Sequence, residues 1–545
     1  MKKLLFLIFP LISIQFVFGQ TDQGQVSGNF EINMQSYQTD SLINAIAPDD
    51  KVRTNAYANI NYVRGKFSAG IRYEAYMNTM LGYDRRYDGH GLANRYVKYD
   101  GDFVEVTAGH FYEQFGNGLV LRAYEDKTLG WDNAIDGIRA VVKPYDGINI
   151  TGLVGKQRKY WEYGNGIVRA ADANIDINTL FKKLSDNKTK YVLAGSFVSK
   201  FEESNDPVYN FPENVGAFSG RFNISRGLFT ISSEYAHKIN DPSNDNGYIY
   251  KDGDALFINT SYSMKGFGIL LSAMRLDNMS FRSERAASIN DVAINYLPAL
   301  SKTHTYALPA MYPFAGQPNG QVGFNTEVFY NFKRKSLLGG KYGTNISINY
   351  SQINSISTDK ITIDPEAETP NLDGYTSDFF AVGDELYFKD FNFELHKKID
   401  KSFKFSAIYM HEEYNKGVLQ GTEDVLIEAD IAVLDITYKL NYKHALRLET
   451  QALFTEQDLG DWMAGMLEYT FAPHWFLAVS DQYNFGNPDE KYRVHYLHTT
   501  AGYTKGSSRL EFGFGKRREG IVCVGGVCRN VPASNGISVR FSTSF

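Results

Sequence analysis

The sequence predicts an all-β protein, an antiparallel transmembrane β-barrel. Three observations predict it: short runs alternate apolar and polar residues from end to end, glycine-bearing turns separate the runs, and the chain closes on an alternating strand whose last residue is Phe545. An extended chain sends successive side chains to opposite faces, so a period of two sets one face against an apolar medium and the other against water.

The chain opens with MKKLLFLIFPLISIQFVFGQ, in which Lys2 and Lys3 precede an apolar run from Leu4 to Phe18 and small residues stand at Val17 and Gly19. This is the pattern of a secretory signal peptide over residues 1–19, cleaved after Gly19. The run is too short, and too broken by Pro10, to anchor in a membrane. Residues 20–545 are expected to form a single barrel domain. The first strand is expected within a few residues of Gln20, which leaves no room for a plug domain ahead of it. Without the signal, 54 basic residues face 62 acidic ones, a charge of −8 that argues against nucleic acid as a partner. The 37 Tyr, 38 Phe and 48 Gly suit strands, membrane interfaces and tight turns.

The first strand follows in VSGNFEINMQSY, where Val26, Gly28, Phe30, Ile32 and Met34 share one face and Ser27, Asn29, Glu31, Asn33 and Gln35 the other. The pattern returns with Phe67, Ile71 and Tyr73 against Arg72 and Glu74, with Ile346 and Ile348 against Ser347 and Asn349, with Leu446 and Leu448 against Arg447 and Glu449, and with Leu510 and Phe512 against Arg509 and Glu511. Runs of about 9–11 residues are long enough to cross a bilayer as tilted strands. Turns are marked at Arg64, Asp100, Asp146, Ser225, Lys265 and Lys505. An even strand number of about 16–22 is expected. Two long stretches lack alternation and read as loops: Asp277 to Gln321, rich in Tyr, Leu and Pro and expected to fold over or into the barrel, and Gln352 to Val382.

The ending GISVRFSTSF places Ile537, Val539, Phe541, Thr543 and Phe545 on one face. It resembles the terminal signal, here Phe541 and Phe545, by which outer-membrane assembly machinery recognises barrel substrates. Three further runs, RTNAYANINYVRGKFSAGIRYEAYMNTMLGYDRRYDGHG, GHFYEQFGNGLVLRAYEDKTLGWDNAIDGIRA and CVGGVCRNVPASNG through to Phe545, resemble a family of Bacteroidota outer-membrane proteins of unknown function. That resemblance implies a barrel in a Gram-negative outer membrane, with outer-membrane lipid and the assembly machinery as partners. It implies no functional residue.

Candidate chemistry concentrates where alternation fails, from Gln114 to Asn133, with Glu113, Arg122, Glu125, Asp126, Asp132 and Asp136 crowding the break. Charges are costly in the lipid-facing band, so these belong in the lumen or at a rim. They fit either a constriction or ligand-binding insert, or a salt-bridged plug that ties strands together. Three Arg-x-Glu pairs, Arg72 with Glu74, Arg447 with Glu449 and Arg509 with Glu511, share polar strand faces and suit a lumenal ion-pair ladder of balanced sign. Cys523 and Cys528 flank a glycine turn and are expected to close a hairpin as a disulfide. No G-x-S-x-G elbow, H-E-x-x-H site or phosphate loop occurs, so neither an enzyme nor a cofactor is expected. The expected function is a porin-like or gated channel for small solutes; the second hypothesis is a plugged barrel serving as a structural or interaction subunit beside other envelope proteins.

Overall fold

The computed structural model describes residues 24–545 except 208, 288–290, 362–373, 423 and 526; the expected signal peptide and its cleavage after Gly19 lie outside the described residues. Twenty-four strands pair in one sheet, and the last, Ser534–Ser544, returns to pair with the first, Gln25–Gln38, so the sheet closes into a barrel. Every pairing within it is antiparallel to its neighbour, as the hairpin pattern requires. At the seam Gly28 and Phe545 exchange backbone hydrogen bonds of 3.0 Å, and the Phe541 ring lies 6.2 Å from that of Phe30. The strand number is even, as expected, but 24 exceeds the expected range. The excess comes from the connections, since turns such as Gly65–Lys66, Asp146–Gly147 and Gly506–Ser507 use only two residues.

Alternation sorts the wall as the sequence implies. Phe30, Met34, Ile60, Phe67, Ile71, Leu448, Phe512 and Phe514 stay exposed on the outside, while Arg72, Glu74 and Glu449 are buried inside. An exposed apolar belt around a sheet with no open edge is the surface of a lipid-embedded barrel. No helix of the described residues is long and apolar enough to cross a membrane; the strands do so.

The two ends differ. One carries nearly all the two-residue turns together with the start of the first strand and the end of the last, the turn Tyr160–Trp161 being at the other end. The other carries three inserts: residues 112–134, residues 278–319, and residues 518–533, whose strands Gly520–Val524 and Val527–Val531 form a hairpin. Short turns mark the periplasmic end in barrels of this type, which puts the inserts at the outer mouth.

A barrel this wide encloses a lumen that must be filled by chain or by water. The stretch from Asp277 to Gln321 does fold inward, with Met279, Phe281, Ile294, Leu300, Leu308 and Phe314 all at most 3 % exposed. The expected loop from Gln352 to Val382 is a correction. Strands Thr344–Lys360 and Tyr375–Lys398 run through most of it, and residues 362–373 lie outside the described residues. Register shifts near Ile353, Asn354 and Ile356 break the parity, and residues 375–387 pair on one side only. The hairpin therefore runs beyond its neighbouring strands and lies against the ends of Phe229–Lys238 and Phe267–Asp277, where Tyr375 donates to Asp277 and Phe379 meets Tyr235. The interior is also less polar than expected, because Val168, Val198, Ala217, Ala236, Ala255 and Leu276 face inward against the inserts.

Candidate functional site: a latched plug in the lumen

The insert of residues 112–134 leaves the wall after strand Val104–Phe111 and returns at Ile135–Tyr145. Its apolar centre, Leu119, Val120 and Leu121, is fully buried against the second insert and the apolar half of the wall. The two inserts also bond through their backbones. Arg122 N donates to Ile294 O at 2.8 Å, Tyr296 N to Gly118 O at 2.9 Å, and Asn295 Nδ2 reaches both Leu119 O and Met279 O. Together they form one plug, its peptide groups satisfied where no water reaches them.

The tip of the plug docks on the wall. Asn117 donates through N and Nδ2 to Glu234 Oε2 at 2.7 and 2.9 Å. Gly116, at φ +54°, leaves no space for a side chain: a Cβ there would lie 2.4 Å from Arg221 Cδ and 2.5 Å from Glu234 Oε2. Below the tip opens a cavity of about 530 Å³ bordered by Asp172, Asn174, Lys190 and Asn223.

The root is held by ions. Arg72, on strand Phe67–Met77, bonds Glu74 on its own strand at 2.7 Å, Glu125 of the plug at 2.9 Å, and Asp132 of the plug. Arg158, at the end of strand Ile148–Lys159, bonds Glu74 at 2.7 Å and Asp132 at 2.5 Å. Tyr112 Oη and Ala134 N complete the bonds to Asp132, each at 3.0 Å. The side chains of Arg72, Glu74, Arg158 and Asp132 are at most 6 % exposed. Carboxylate oxygens of Glu74, Glu125 and Asp132 all lie within 4.8 Å of one another, a spacing that suits a cation. Two guanidiniums already supply that charge, so the arrangement is an ion-pair latch.

The latch separates its two plug acids. Burial pushes Asp132 up, but Arg158 and Arg72 outweigh it and hold the carboxyl below its ordinary value. Burial pushes Glu125 up, and the Asp132 charge adds to the rise against the opposing pull of Arg72.

The other sequence-predicted residues take separate places. Glu113 pairs with Arg139, which also holds Glu105 on the wall. Arg122 lies between the rings of Tyr124 and Tyr296, at 4.3 and 3.9 Å from their centroids. Asp126 caps a turn by accepting from Thr128 N and Leu129 N. Asp136 is a correction: its neighbour Ile135 is buried inward, and Asp136 faces outward to Arg95, 3.4 Å away. The six charges therefore do not converge on one ring. All three Arg-x-Glu pairs form within their strands; Arg447 also binds Asp435, and Arg509 with Glu511 lies near the periplasmic end. Cys523 and Cys528 are bonded and cross-strand. Their hairpin covers the plug: Tyr296 Oη donates to Gly525 O at 2.7 Å, and Arg529 Nε donates to Thr128 O at 2.7 Å while lying over Tyr83.

Sequence reasoning missed Arg158, Arg139 and Glu234. Arg158 stands at a strand end where four polar residues in succession, Lys156 to Lys159, break the alternation, and that was its one signal. It also missed a buried acidic pair: Asp390 and Glu412 face each other across strands, Asp390 is bound by His304 at 2.9 Å, and neither oxygen of Glu412 has a hydrogen-bond partner among the described residues.

A sequence family described as a family of unknown function, DUF6029, matches residues 1–545. The chain belongs to it. No curated protein matches the sequence. Solved structures with a similar architecture include the P pilus usher PapC translocation pore (9 % identity, 95 % of this chain and 99 % of that one, TM-score 0.44). They also include the siderophore receptor PirA from Pseudomonas aeruginosa (10 %, 96 % and 81 %, TM-score 0.38) and OccAB3 from Acinetobacter baumannii (9 %, 96 % and 99 %, TM-score 0.37). These likenesses are distant.

Proposed function

We propose that the protein is a gated outer-membrane channel for small polar solutes, closed at its outer mouth by its own inserts. One observation carries this reading: the apolar packing of the plug is against one side of the lumen, while the strands opposite meet it through Lys127, which lies near Glu31 and over Tyr57. The buried apolar cluster draws no residue from strands Gln25–Gln38, Val52–Arg64, His498–Lys505, Ser508–Arg517 or Ser534–Ser544. On that side the lumenal face is polar and, toward the periplasmic end, accessible, with Arg540 and Arg509 exposed and Glu31 half-buried, whereas Gln35, Tyr37, Arg53 and Tyr57 nearer the outer mouth are buried. A wide barrel filled on one side and wetted on the other is suited to passage along the wet side. The test is single-channel recording of the intact protein against a variant whose residues 114–132 are replaced by a short Gly-Ser turn. Conductance that rises in the variant supports the channel; two silent traces refute it.

A second reading, an interaction subunit, is favoured by the hairpin of Thr344–Lys360 and Tyr375–Lys398, which projects past its neighbours and carries Phe380 at 91 % exposure. It predicts that Phe380→Asp lowers the native mass of the protein extracted in mild detergent. An unchanged mass refutes it.

A further inference from the structure

The polar side of the lumen carries cations that no carboxylate neutralises. Arg517 ends strand Ser508–Arg517, and its Nη2 lies 3.4 Å from both Ser538 Oγ and His498 Nε2. Arg540, two residues beyond Ser538 on the same face of strand Ser534–Ser544, donates through Nε to Asn33 Oδ1 at 2.6 Å. Among the described residues neither guanidinium has an acid within 4.0 Å, and both are exposed to the lumen. Both lie on the lumenal face of one strand pair, Ser508–Arg517 with Ser534–Ser544.

The neighbouring acids are committed elsewhere. Glu511, opposite Arg540 in register, is taken by Arg509. Glu31 accepts from Asn33 Nδ2 at 2.9 Å and lies 4.0 Å from Lys127. Arg509, Arg517, Arg540 and Lys127 thus face Glu511 and Glu31, an excess of two positive charges in one sector. Among the other described arginines of the interior, Arg72, Arg139, Arg158, Arg221 and Arg447 are paired with carboxylates, whereas Arg53, Arg122, Arg518 and Arg529 are held by backbone carbonyls or aromatic rings. The floor is cleared as well. A Cβ on Gly513 would lie 2.4 Å from Ser538 Oγ and 3.1 Å from His498 Cε1, so a larger residue there would displace the hydroxyl from its present place.

We propose that Arg517 and Arg540, with Ser538 and His498 beside them, form a binding subsite for a small anionic solute bearing a carboxylate or phosphate group. The planar guanidinium fork matches two oxygens of either group, and among the described residues neither of these forks has a carboxylate of the chain to take that place. The Ser538 hydroxyl supplies one more donor, and His498 Nε2, accepting from Arg517 Nη2, holds that guanidinium in place. An unneutralised set of one sign also selects anions in a pore, whereas the balanced Arg-x-Glu pairs do not. As the solute class of the channel, the inference rests on the gated-channel reading; as a binding site it stands by itself.

The test uses the full-length protein in detergent, titrated by calorimetry with inorganic phosphate and, separately, with succinate. Saturable binding of either anion is expected, weakened at least tenfold in Arg517→Gln/Arg540→Gln. Arg540→Lys, which keeps the charge but loses the fork, is expected to fall between them. Arg447→Gln, outside the sector, is expected to bind like the wild type. Phosphate binding without succinate binding assigns the phosphate class, and the converse assigns the carboxylate class. Absence of saturable binding of both anions, or binding untouched by the double variant, overturns the subsite. Should the double variant fail to fold, Arg540→Lys decides alone: binding equal to wild type overturns the subsite. Because no current is measured, binding by a protein silent in bilayers refutes the channel and leaves the subsite. Current without binding does the reverse.

Discussion

Replacing Asp132 by Asn tests the latch at its centre. The carboxylate is bonded by Arg158 at 2.5 Å and by Arg72, with side-chain exposures of 3 %, 5 % and 6 % for Arg158, Arg72 and Asp132. Asparagine keeps the shape and the bond from Ala134 N but leaves Arg72 and Arg158 with Glu74 and the more exposed Glu125. Removing one member of a buried ion pair costs about 3–5 kcal/mol. Glu125 loses its like-charged neighbour in the exchange, which puts the cost near the lower end, about 3 kcal/mol or roughly a hundredfold in the ratio of docked to undocked plug. Amide hydrogen exchange reads that ratio directly. Protection of the Phe115 and Arg122 amides, bonded to Leu121 O and Ile294 O, is expected to fall by about a hundred while strands remote from the plug keep theirs. Unchanged protection in the plug refutes the latch. An equal loss across the whole barrel refutes the idea that the latch holds the plug rather than the wall.

Four further outcomes are expected. Leu121→Ala, in the fully buried centre of the plug, lowers stability by about 2–5 kcal/mol in chemical denaturation, and a change under 1 kcal/mol contradicts the packing. Cys523→Ser/Cys528→Ser removes a ring that contributes about 2 kcal/mol by chain entropy and loosens the hairpin over Tyr296, seen as faster proteolysis of residues 518–533; an unchanged cleavage rate counts against it. Glu125 has a raised folded value, so its contribution is fully present below its ordinary value of about 4.5 and is lost as pH rises through the raised one. Glu125→Gln therefore raises the melting temperature relative to wild type more at pH 7 than at pH 4, and a reversed order refutes the placement. Glu412→Gln removes a buried, unpartnered carboxylate beside Asp390 and stabilises the protein by about 1–3 kcal/mol; a loss of stability points to a partner for Glu412 in the cell.

The sequence shows the barrel because lipid enforces alternation residue by residue. Phe30 and Met34 point outward and Arg72 and Glu74 inward as the parity implies. Where lipid is absent the pattern carries less. The projecting hairpin from Thr344 to Lys398 reads as loop because its bulges and solvent-facing sides remove the alternation. The apolar inward residues Val168, Val198 and Ala236 are hidden for a related reason: they face the plug, which the local pattern of the wall does not encode. Pairs within one strand, such as Arg447 with Glu449, are legible from spacing. The latch is not, since Arg158 meets Glu74 across 84 positions of sequence, and the unpaired state of Arg517 and Arg540 appears only once every acid has been placed.

The measurement that bears most directly on the gated barrel is single-channel recording of the refolded, intact protein in a planar bilayer under a salt gradient, beside Asp132→Asn. The gated barrel predicts small, infrequent openings in the wild type, more frequent openings in the variant, and a reversal potential on the anion-selective side in both. Silence from both proteins at every voltage, with the barrel folded, would contradict it and leave a sealed barrel whose role lies in what binds it.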